Sequence, residues 1–437
     1  MQKLMKAKLL SAACLFTAGL ILTAPGSTTS AQADTVTEWN QNFELAAKAA
    51  AQLPPIEARA AAIVQVAVFD AVNGIHRKYE PYFVTEPAPP GARADAAAAQ
   101  AAYTALKALY PSQAATFDAE LANSLASLPG ANGKNPAVAS GLAWGEHVAN
   151  LILTLRSTDG FSAIVPGYFG GGAPGVWRSL PTGTNADGTL PAVFPQYRFI
   201  VPFTMTSPSQ FRPGPPPDLT SEPYANDLNE VKAIGRVDSA TRTADQTKLA
   251  LLWQATGIRD FFRSTRAILP ADMDLVDEAR LFALLGMSSC DGLIAVFDAK
   301  YTYNFWRPYH AIRLADSDGN LLTDPDPAWT SLVFPPRHQE YPSAHSVATG
   351  AYMRVLARVL GDENTFTLSS PAFPSFTWTF DRFSDAAAQV KEARIWAGIH
   401  FRNSCNVGGA MSVSLGDYIA DNALRPLEVA ASVKDEQ

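Results

Sequence analysis

Alanine-rich segments with regularly spaced larger aliphatic residues dominate this chain. They recur over residues 44–52, 58–73, 94–110, 139–156, 222–234, 243–256, 272–297, 346–360 and 385–396. Apolar residues that return every three to four positions favour helices with one buried face. No segment shows a convincing run of alternating apolar and polar residues, which would indicate a strand. The sequence therefore predicts a mainly α fold in which helical bundles bury the core.

A long glycine- and proline-rich loop separates two helical halves. Residues 165–219 contain Gly170-Gly171-Gly172 and Pro215-Pro216-Pro217 and show no helical period. Loops of this length are uncommon in compact domains and are usually functional covers or linkers. We therefore predict an N-terminal helical half over residues 34–220 and a C-terminal helical half over 221–437. The loop either wraps over the surface or forms one wall of a substrate entrance.

The first 33 residues are predicted to be a signal peptide. Lysines at positions 3, 6 and 8 precede an apolar run, and Ala31-Gln32-Ala33 supplies a small-x-small cleavage pattern. The apolar run is shorter than the roughly 18 residues of a membrane span, so cleavage before Asp34 is favoured over a retained anchor. We expect a secreted or periplasmic protein with no stable membrane anchor.

The mature chain is acidic. Removing the signal takes away three lysines and no acidic residue, so the formal net charge moves from -7 to -10. Nucleic-acid binding needs clustered Lys and Arg, and no basic stripe is present, so nucleic acid is not expected as a partner. Cys290 and Cys405 remain, which permits either one disulfide or two buried thiols. Nothing in the sequence indicates an oligomeric state.

Two cations stand seven residues apart in the segment Lys300-Tyr301-Thr302-Tyr303-Asn304-Phe305-Trp306-Arg307-Pro308. On one helix this spacing places them on the same face, about 10 Å apart along the axis. Pro308 disfavours helical geometry at the residue before it, so we expect the helix to end at Arg307 and the guanidinium to turn toward a shared anion. An ordinary solvated helix face is the alternative.

A second segment, Glu340-Tyr341-Pro342-Ser343-Ala344-His345-Ser346, stands directly before a predicted helix. Unpaired N–H groups at a helix N-terminus attract anions, so the Ser343 hydroxyl and the Ala344 N–H are candidates for binding an oxyanion. His345 would lie in the first turn, where an imidazole can act in acid–base catalysis near neutral pH. Alternatively, Ser343 only caps the helix and His345 is a surface residue.

In a third segment, Arg394 and His400 are six residues apart. A continuous helix would point the two side chains about 120° apart. Gly398 lies between them and can break the helix, so that Arg394 points from its end and His400 enters from the following turn. The alternative is an interior helix with a hydrogen-bonded histidine. Together the three segments supply three cations, a hydroxyl, N–H groups and two imidazoles, which suits an anionic oxide; no cluster resembles a zinc or calcium shell.

The motifs Lys-x6-Arg-Pro, Pro-Ser-Ala-His and Arg-x5-His, in this order, resemble the three signatures of the vanadium-dependent haloperoxidase and type 2 phosphatidic acid phosphatase superfamily. They cover roughly residues 300–408, and residues 304–308 and 396–400 resemble the bacterial haloperoxidase-like branch. The segment at residues 70–75 is also similar to the N-terminal helical region of that branch. The resemblance implies a haloperoxidase-like fold of two helical-bundle halves, with vanadate as the cofactor.

The resemblance also implies a role for each matching residue. The oxygens of vanadate would be bound by Lys300, Arg307, Ser343, the Ala344 N–H and Arg394. His400 would bind vanadium, His345 would deprotonate bound hydrogen peroxide, and Lys300 would polarise that peroxide for attack by a halide. The resulting hypohalous acid would halogenate a small organic acceptor. In the phosphatase branch the same groups would hold phosphate, with His400 as the nucleophile and His345 protonating the leaving alcohol.

Several positions depart from the family pattern. Ala344 stands where glycine is usual, and Ser404 stands where an aspartate commonly follows the third-motif histidine by four residues. His338 occupies a position where some bromoperoxidases carry His and chloroperoxidases tend to carry Phe. Phe297 occupies a position where haloperoxidases often show Trp or Arg. Phe297 and His338 are therefore candidate halide-pocket residues that favour bromide slightly over chloride, and a loop position outside the pocket is the alternative for His338.

We predict an exported vanadium haloperoxidase-like enzyme that uses hydrogen peroxide to oxidise halide. One alternative is an acid phosphatase that hydrolyses phosphate esters through a phosphohistidine, and another is a non-catalytic oxyanion-binding protein. The two histidines argue against the last, because binding alone needs only donors and cations. The sequence does not identify a carboxylate that supports His345: Asp291 and Asp298 lie near the first motif, and ordinary acidic residues on a helix surface are the alternative for both.

Overall fold

The computed structural model describes residues 34–128, 135–180 and 190–427, so the predicted signal peptide lies outside the described residues. The described chain is mainly helical, as predicted. Its α-helices are α1 (Thr35–Ala49), α2 (Pro54–His76), α3 (Ala94–Leu109), α4 (Ala114–Ser127), α5 (Pro136–Ser157), α6 (Glu222–Ile234), α7 (Ala244–Ala255), α8 (Ile258–Arg266), α9 (Leu275–Tyr303), α10 (Pro308–Arg313), α11 (Ala344–Leu360), α12 (Phe383–Trp396) and α13 (Arg402–Asn422). Two strands, β1 (Glu363–Ser369) and β2 (Thr377–Arg382), form an antiparallel hairpin.

The long helix α9 is the centre of the fold and packs against both α2 and α11. By length and composition, α2 and α9 could each span a membrane, but 89% and 100% of their most apolar windows are buried inside the protein. Helices that are apolar on all sides are buried ones, and these two serve as core helices here. Their contact is close because small residues meet: a Cβ on Gly286 would lie 3.0 Å from the Cα of Ala62.

One apolar core runs through both predicted halves, from Val36 in α1 to Leu424 after α13. Helices α2, α3 and α5 pack together in the first half, and α11, α12 and α13 pack together in the second. Because α9 contacts both groups, it ties them into one core. The proposed boundary near residue 220 stays a prediction.

Two elements of the structure differ from the sequence prediction, because packing determines them more than the local sequence pattern does. The hairpin β1–β2 was not predicted, although Phe366 and Leu368 alternate inward and Phe366 stacks on Phe380 across the strands. Helix α13 was also missed, because glycines weaken helix propensity. One of them, Gly408, is required for close packing, since a Cβ there would lie 2.9 Å from the Cβ of Ser346 on α11.

The loop at residues 165–219 is irregular in its described parts, apart from one 3-10 turn at Tyr197–Phe199. The Asp291 carboxylate on α9 anchors it by accepting hydrogen bonds from the backbone N–H groups of Phe203, Thr204 and Met205. Asp298 also holds the loop, through two hydrogen bonds of 2.6 Å from Arg212. Both carboxylates therefore bind the loop and make no hydrogen bond to His345.

Candidate active site

The first motif does not lie on one helix face, contrary to the prediction. Helix α9 ends at Tyr303, because Asn304 adopts the left-handed conformation (φ 52°) that commonly ends helices. Arg307 then takes an extended conformation (φ -81°, ψ 155°) before Pro308 begins α10. The effect of Pro308 on Arg307 was predicted correctly, whereas the helix ends one turn earlier than expected.

Lys300 is fully buried in the last turn of α9. Its Nζ donates to the backbone carbonyls of Gln339 at 2.8 Å, Glu340 at 2.8 Å and Pro342 at 2.6 Å. Burial, reinforced by the nearby Arg307 cation, lowers the pKa of Lys300 well below its usual value. The three carbonyls oppose that shift, because only the ammonium form can donate to all of them. Lys300 therefore ties the end of α9 to the segment that precedes α11.

Arg307 is fully buried and uses every guanidinium nitrogen. Its Nε donates to the His338 carbonyl at 2.9 Å, and Nη2 donates to His338 Nδ1 at 3.0 Å. Its Nη1 donates to the Ile399 carbonyl at 2.7 Å and to His400 Nε2 at 3.1 Å. Burial lowers the pKa of Arg307 to about 9. These bonds join the first motif to His338 and to the third motif.

Helix α11 begins at Ala344, and Ser343 is its N-cap, as the sequence indicated. The Ser343 Oγ accepts hydrogen bonds from the backbone N–H of Ser346 at 3.4 Å and from its hydroxyl at 3.0 Å. The N–H groups of Ala344 and His345 are in the first turn and have no intrahelical acceptor. Ser343 thus caps the helix and also lies where the helix presents free donors.

His345 is not the surface residue of the alternative interpretation, because it is partly buried and lines a cavity. Burial and the positive charges of Arg394, Arg307 and Lys300 hold the pKa of His345 well below its usual value. The imidazole is therefore neutral at neutral pH, the form that can accept a proton.

The predicted break in the third motif is present. Gly398 has φ 77° and separates α12 from α13, and a Cβ there would lie 2.2 Å from the carbonyl oxygen of Gly235. Arg394 lies in the last turn of α12 and donates from Nη2 to the side chain of Gln254 at 2.9 Å. Its Nε and Nη1 are buried without a hydrogen-bond partner in the described structure. Burial lowers the pKa of Arg394 to about 10.

His400 is fully buried and is held at both ring nitrogens. Its Nδ1 lies 2.7 Å from Glu340 Oε1, and the same oxygen accepts the Phe401 N–H at 3.0 Å. The hydroxyl of Ser404 is farther from Nδ1, at 3.4 Å. Burial raises the pKa of Glu340 to about 7, and it lowers the pKa of His400 well below its usual value.

Glu340 is a residue of this site that was not predicted from the sequence. Its only signal in the sequence was an acidic residue three positions before Ser343, while its partner His400 lies 60 residues away.

The sequence left open whether Cys290 and Cys405 form a disulfide or remain two buried thiols. In the structure both are buried free thiols.

A cavity of about 340 Å³ opens onto this cluster. Ala344, His345, Arg394, His400 and His338 line its polar part. Its apolar walls include Leu53, Phe194, Ile258, Phe261, Leu293 and Phe297. Lys300, Arg307 and Ser343 are fully buried beside the polar part.

Both candidate halide-pocket residues line this cavity, and the Phe297 and His338 rings contact each other with centroids 5.4 Å apart. Phe194 comes from the long loop and has a positive φ of 60°, which is unusual for a residue with a side chain. The loop therefore forms part of the cavity wall, and His338 lies within the pocket.

The polar groups fit a tetrahedral oxyanion. Three buried cations, Lys300, Arg307 and Arg394, face a single buried carboxylate in this cluster, Glu340, and burial lowers the pKa of each cation. Two buried nitrogens of Arg394, Nε and Nη1, lack acceptors, and the start of α11 adds free backbone donors. An oxyanion would supply both the missing negative charge and the missing acceptors.

Two sequence comparisons find known proteins that are similar to part of this chain. Residues 280–428 match the family model of the VCPO second helical-bundle domain. The vanadium chloroperoxidase of Curvularia inaequalis is 27% identical over 107 residues, a match that covers 22% of this chain and only 17% of that protein.

Solved structures extend the likeness to most of the chain. A bacterial vanadium-dependent iodoperoxidase superposes with a TM-score of 0.74 at 22% identity, covering 90% of this chain and 98% of that one. The apo form of a bacterial vanadium-dependent chloroperoxidase gives a TM-score of 0.68 at 17% identity, covering 84% of this chain and 94% of that one. A holo form of such an enzyme gives 0.66 at 17% identity, with 91% and 95% covered. With its three motifs gathered at one cavity, this chain has the fold of the bacterial vanadium-dependent haloperoxidases, and its residues 280–428 match the VCPO second helical-bundle domain.

Proposed function

We propose that this protein is an exported haloperoxidase that binds vanadate and uses hydrogen peroxide to oxidise halide, with bromide slightly favoured over chloride. One arrangement carries the proposal. His400 holds Nε2 beside Arg307 Nη1, and Arg394, which lines the same cavity, has two buried donor nitrogens without a partner in the described structure. Bound vanadate would supply the oxygen-transfer chemistry, since it activates peroxide toward halide.

The roles of the oxyanion-binding residues follow from their bonds. Two donor nitrogens of Arg394, Nε and Nη1, have no partner in the described structure. Arg394 would therefore bind oxyanion oxygens directly, together with the N–H groups at the start of α11. Lys300 and Arg307 already donate to carbonyls, so they would contribute positive charge and exchange a bond when the anion arrives. Ser343 would donate its hydroxyl hydrogen, because its oxygen already accepts from Ser346.

His345 is the proposed general base for peroxide. Its neutral imidazole lines the cavity and makes no hydrogen bond to another described residue, so it can take a proton from an incoming molecule. His338 also lines the cavity, where its ring would lie beside a bound halide. Apolar walls suit a small organic acceptor better than a charged phosphate ester, which favours halide oxidation.

Acid phosphatase activity is the second candidate. A carboxylate bound to Nδ1 of His400 would also support Nε2 as a nucleophile toward phosphate. This alternative uses the same residues and differs only in the anion that is bound and in the chemistry that follows.

The test is to incubate purified protein with orthovanadate and then measure peroxide-dependent oxidation of iodide, bromide and chloride. Hydrolysis of nitrophenyl phosphate is measured separately without vanadate. We expect halide oxidation and no phosphatase activity. Phosphatase activity alone would support the second candidate, and inactivity in both assays would support an oxyanion-binding protein.

Two variants separate binding from turnover. His345→Ala should lower the rate about 10²- to 10⁴-fold while vanadate still binds, because it removes only the base. His400→Ala should abolish both halide oxidation and vanadate binding. His147→Ala is the matched control, since His147 is an exposed histidine paired with Glu86, and it should leave activity unchanged. Full activity in His400→Ala would contradict the proposed role.

A further inference from the structure

We propose that Glu340 is the positioning residue that fixes the ring orientation and tautomer of His400, in place of an aspartate at the position of Ser404. The proposal concerns how the histidine of the proposed oxyanion site is held. It rests on the proposed function only for the effect on turnover, because the tautomer is a property of the protein before any oxyanion binds.

Two independent contacts assign the same tautomer. Glu340 Oε1 accepts the backbone N–H of Phe401 at 3.0 Å, so this oxygen acts as an acceptor and His400 Nδ1, at 2.7 Å, must donate to it. At the other end of the ring, Arg307 Nη1 lies 3.1 Å from Nε2. A guanidinium can only donate, so Nε2 must be the nitrogen without a proton. The Nδ1–H tautomer satisfies both contacts.

The Nδ1–H tautomer is also the one that the proposed function needs. It puts a lone pair on Nε2, which would become available to an electrophilic centre once Arg307 Nη1 exchanges its bond from Nε2 to the anion. Histidine ligands are commonly oriented in this way by a carboxylate on the opposite nitrogen, which also raises the basicity of the ligating nitrogen.

Ser404 can orient the His400 ring only weakly. Its Oγ is 3.4 Å from His400 Nδ1, against 2.7 Å for Glu340, and a hydroxyl carries no charge. Yet Ser404 is close enough that a carboxylate introduced there would reach the same nitrogen. In this chain the carboxylate at His400 Nδ1 thus comes from the second motif and not from the third.

Glu340 also connects the three motifs. Its backbone N–H donates to the Phe305 carbonyl at 2.9 Å, and its own carbonyl accepts from Lys300 at 2.8 Å. Its side chain reaches His400, and the chain continues directly to Ser343 at the start of α11. One residue therefore sets the position of the first and third motifs relative to the anion-binding helix end.

The primary test is ¹⁵N NMR of histidine-labelled protein, without peroxide, halide or oxyanion. We expect His400 to be protonated on Nδ1 and unprotonated on Nε2, with a slowly exchanging, strongly hydrogen-bonded Nδ1–H. Protonation on Nε2 would overturn the proposal, and this measurement needs no variant to fold.

The second test measures inorganic phosphate and orthovanadate affinity by calorimetry in Glu340→Met. Loss of an orienting partner typically weakens binding at such sites about 10- to 100-fold, and the hydrogen-bonded Nδ1–H signal should disappear. Adding Ser404→Asp to Glu340→Met should recover most of the affinity and the signal, a rescue that a purely structural role would not give. Unchanged affinity and an unchanged Nδ1–H signal in Glu340→Met would refute the proposal.

The matched control is Asp227→Leu. Asp227 also accepts a backbone N–H at the start of α13, from Asn403 at 2.8 Å, but it does not contact His400. It should leave the Nδ1–H signal and phosphate affinity unchanged. If wild-type protein binds neither anion, the proposed function fails while the tautomer measurement still decides the role of Glu340, so the two failures are distinguishable.

Discussion

We expect Arg394 to strengthen oxyanion binding and to destabilise the folded protein. Arg394→Met should therefore weaken oxyanion binding and raise the free energy of unfolding. In the protein without an oxyanion, two buried donor nitrogens of Arg394, Nε and Nη1, have no acceptor. Each such donor atom costs about 1–3 kcal/mol, so the two together cost about 2–6 kcal/mol. The hydrogen bond to Gln254 offsets about 1.5–3 kcal/mol of this. We therefore expect Arg394→Met to raise the free energy of unfolding by about 2 kcal/mol.

Oxyanion affinity should change in the opposite direction. Two charge-assisted hydrogen bonds from Arg394 to an anion would contribute about 3–6 kcal/mol. Their loss corresponds to an affinity roughly 10²- to 10⁴-fold weaker, at about 1.4 kcal/mol for each factor of ten. The assay is denaturant unfolding with and without orthovanadate, because a ligand that binds only the folded state stabilises it in proportion to its affinity.

Arg307→Met is the comparison that tests the reasoning. Arg307 has the same charge and burial, but its nitrogens donate to the carbonyls of His338 and Ile399 and to two imidazoles. Its removal should lower the free energy of unfolding by at least about 3 kcal/mol, because buried acceptors are left unpaired. Equal destabilisation of the two variants, or wild-type affinity for vanadate in Arg394→Met, would contradict the effect expected from the unpaired donors of Arg394.

Two further predictions concern the backbone and pH. Gly398→Ala should lower the free energy of unfolding by more than about 3 kcal/mol, because its Cβ would lie 2.2 Å from the Gly235 carbonyl oxygen at a φ of 77°. Gly361→Ala is its control: φ is 87° but nothing lies within 4 Å, so about 1–2 kcal/mol of backbone strain is expected, and equal losses would contradict the steric argument. Burial raises the pKa of Glu57 to about 7 despite Arg259 nearby, so its proton stabilises the fold fully below about pH 4.5 and this contribution is lost as pH rises through 7. Glu57→Gln should therefore gain stability relative to wild type between pH 5 and pH 8, by up to about 3 kcal/mol, and an unchanged difference at the two pH values would contradict this sign.

Local features of the sequence were sufficient where they act on the neighbouring backbone. The helix start at Ala344, the extended conformation of Arg307 before Pro308 and the break at Gly398 all follow from cap, proline and glycine chemistry. Asn304 was the exception, because asparagine is only one of several residues that enter the left-handed region, and nothing local required it to do so here. The early end of α9 therefore could not be predicted.

The amino-acid sequence by itself determined the inventory of the site: which cations, imidazoles and helix-start donors are available, and that their kinds suit an anionic oxide. The tertiary structure alone decided the partners. Lys300 and Arg307 donate to carbonyls, Arg394 keeps two donors free, and Glu340 rather than residue 404 reaches His400. The physical reason is that backbone preferences act over a few residues, whereas a hydrogen bond across 60 residues exists only once packed helices bring its atoms within about 3 Å.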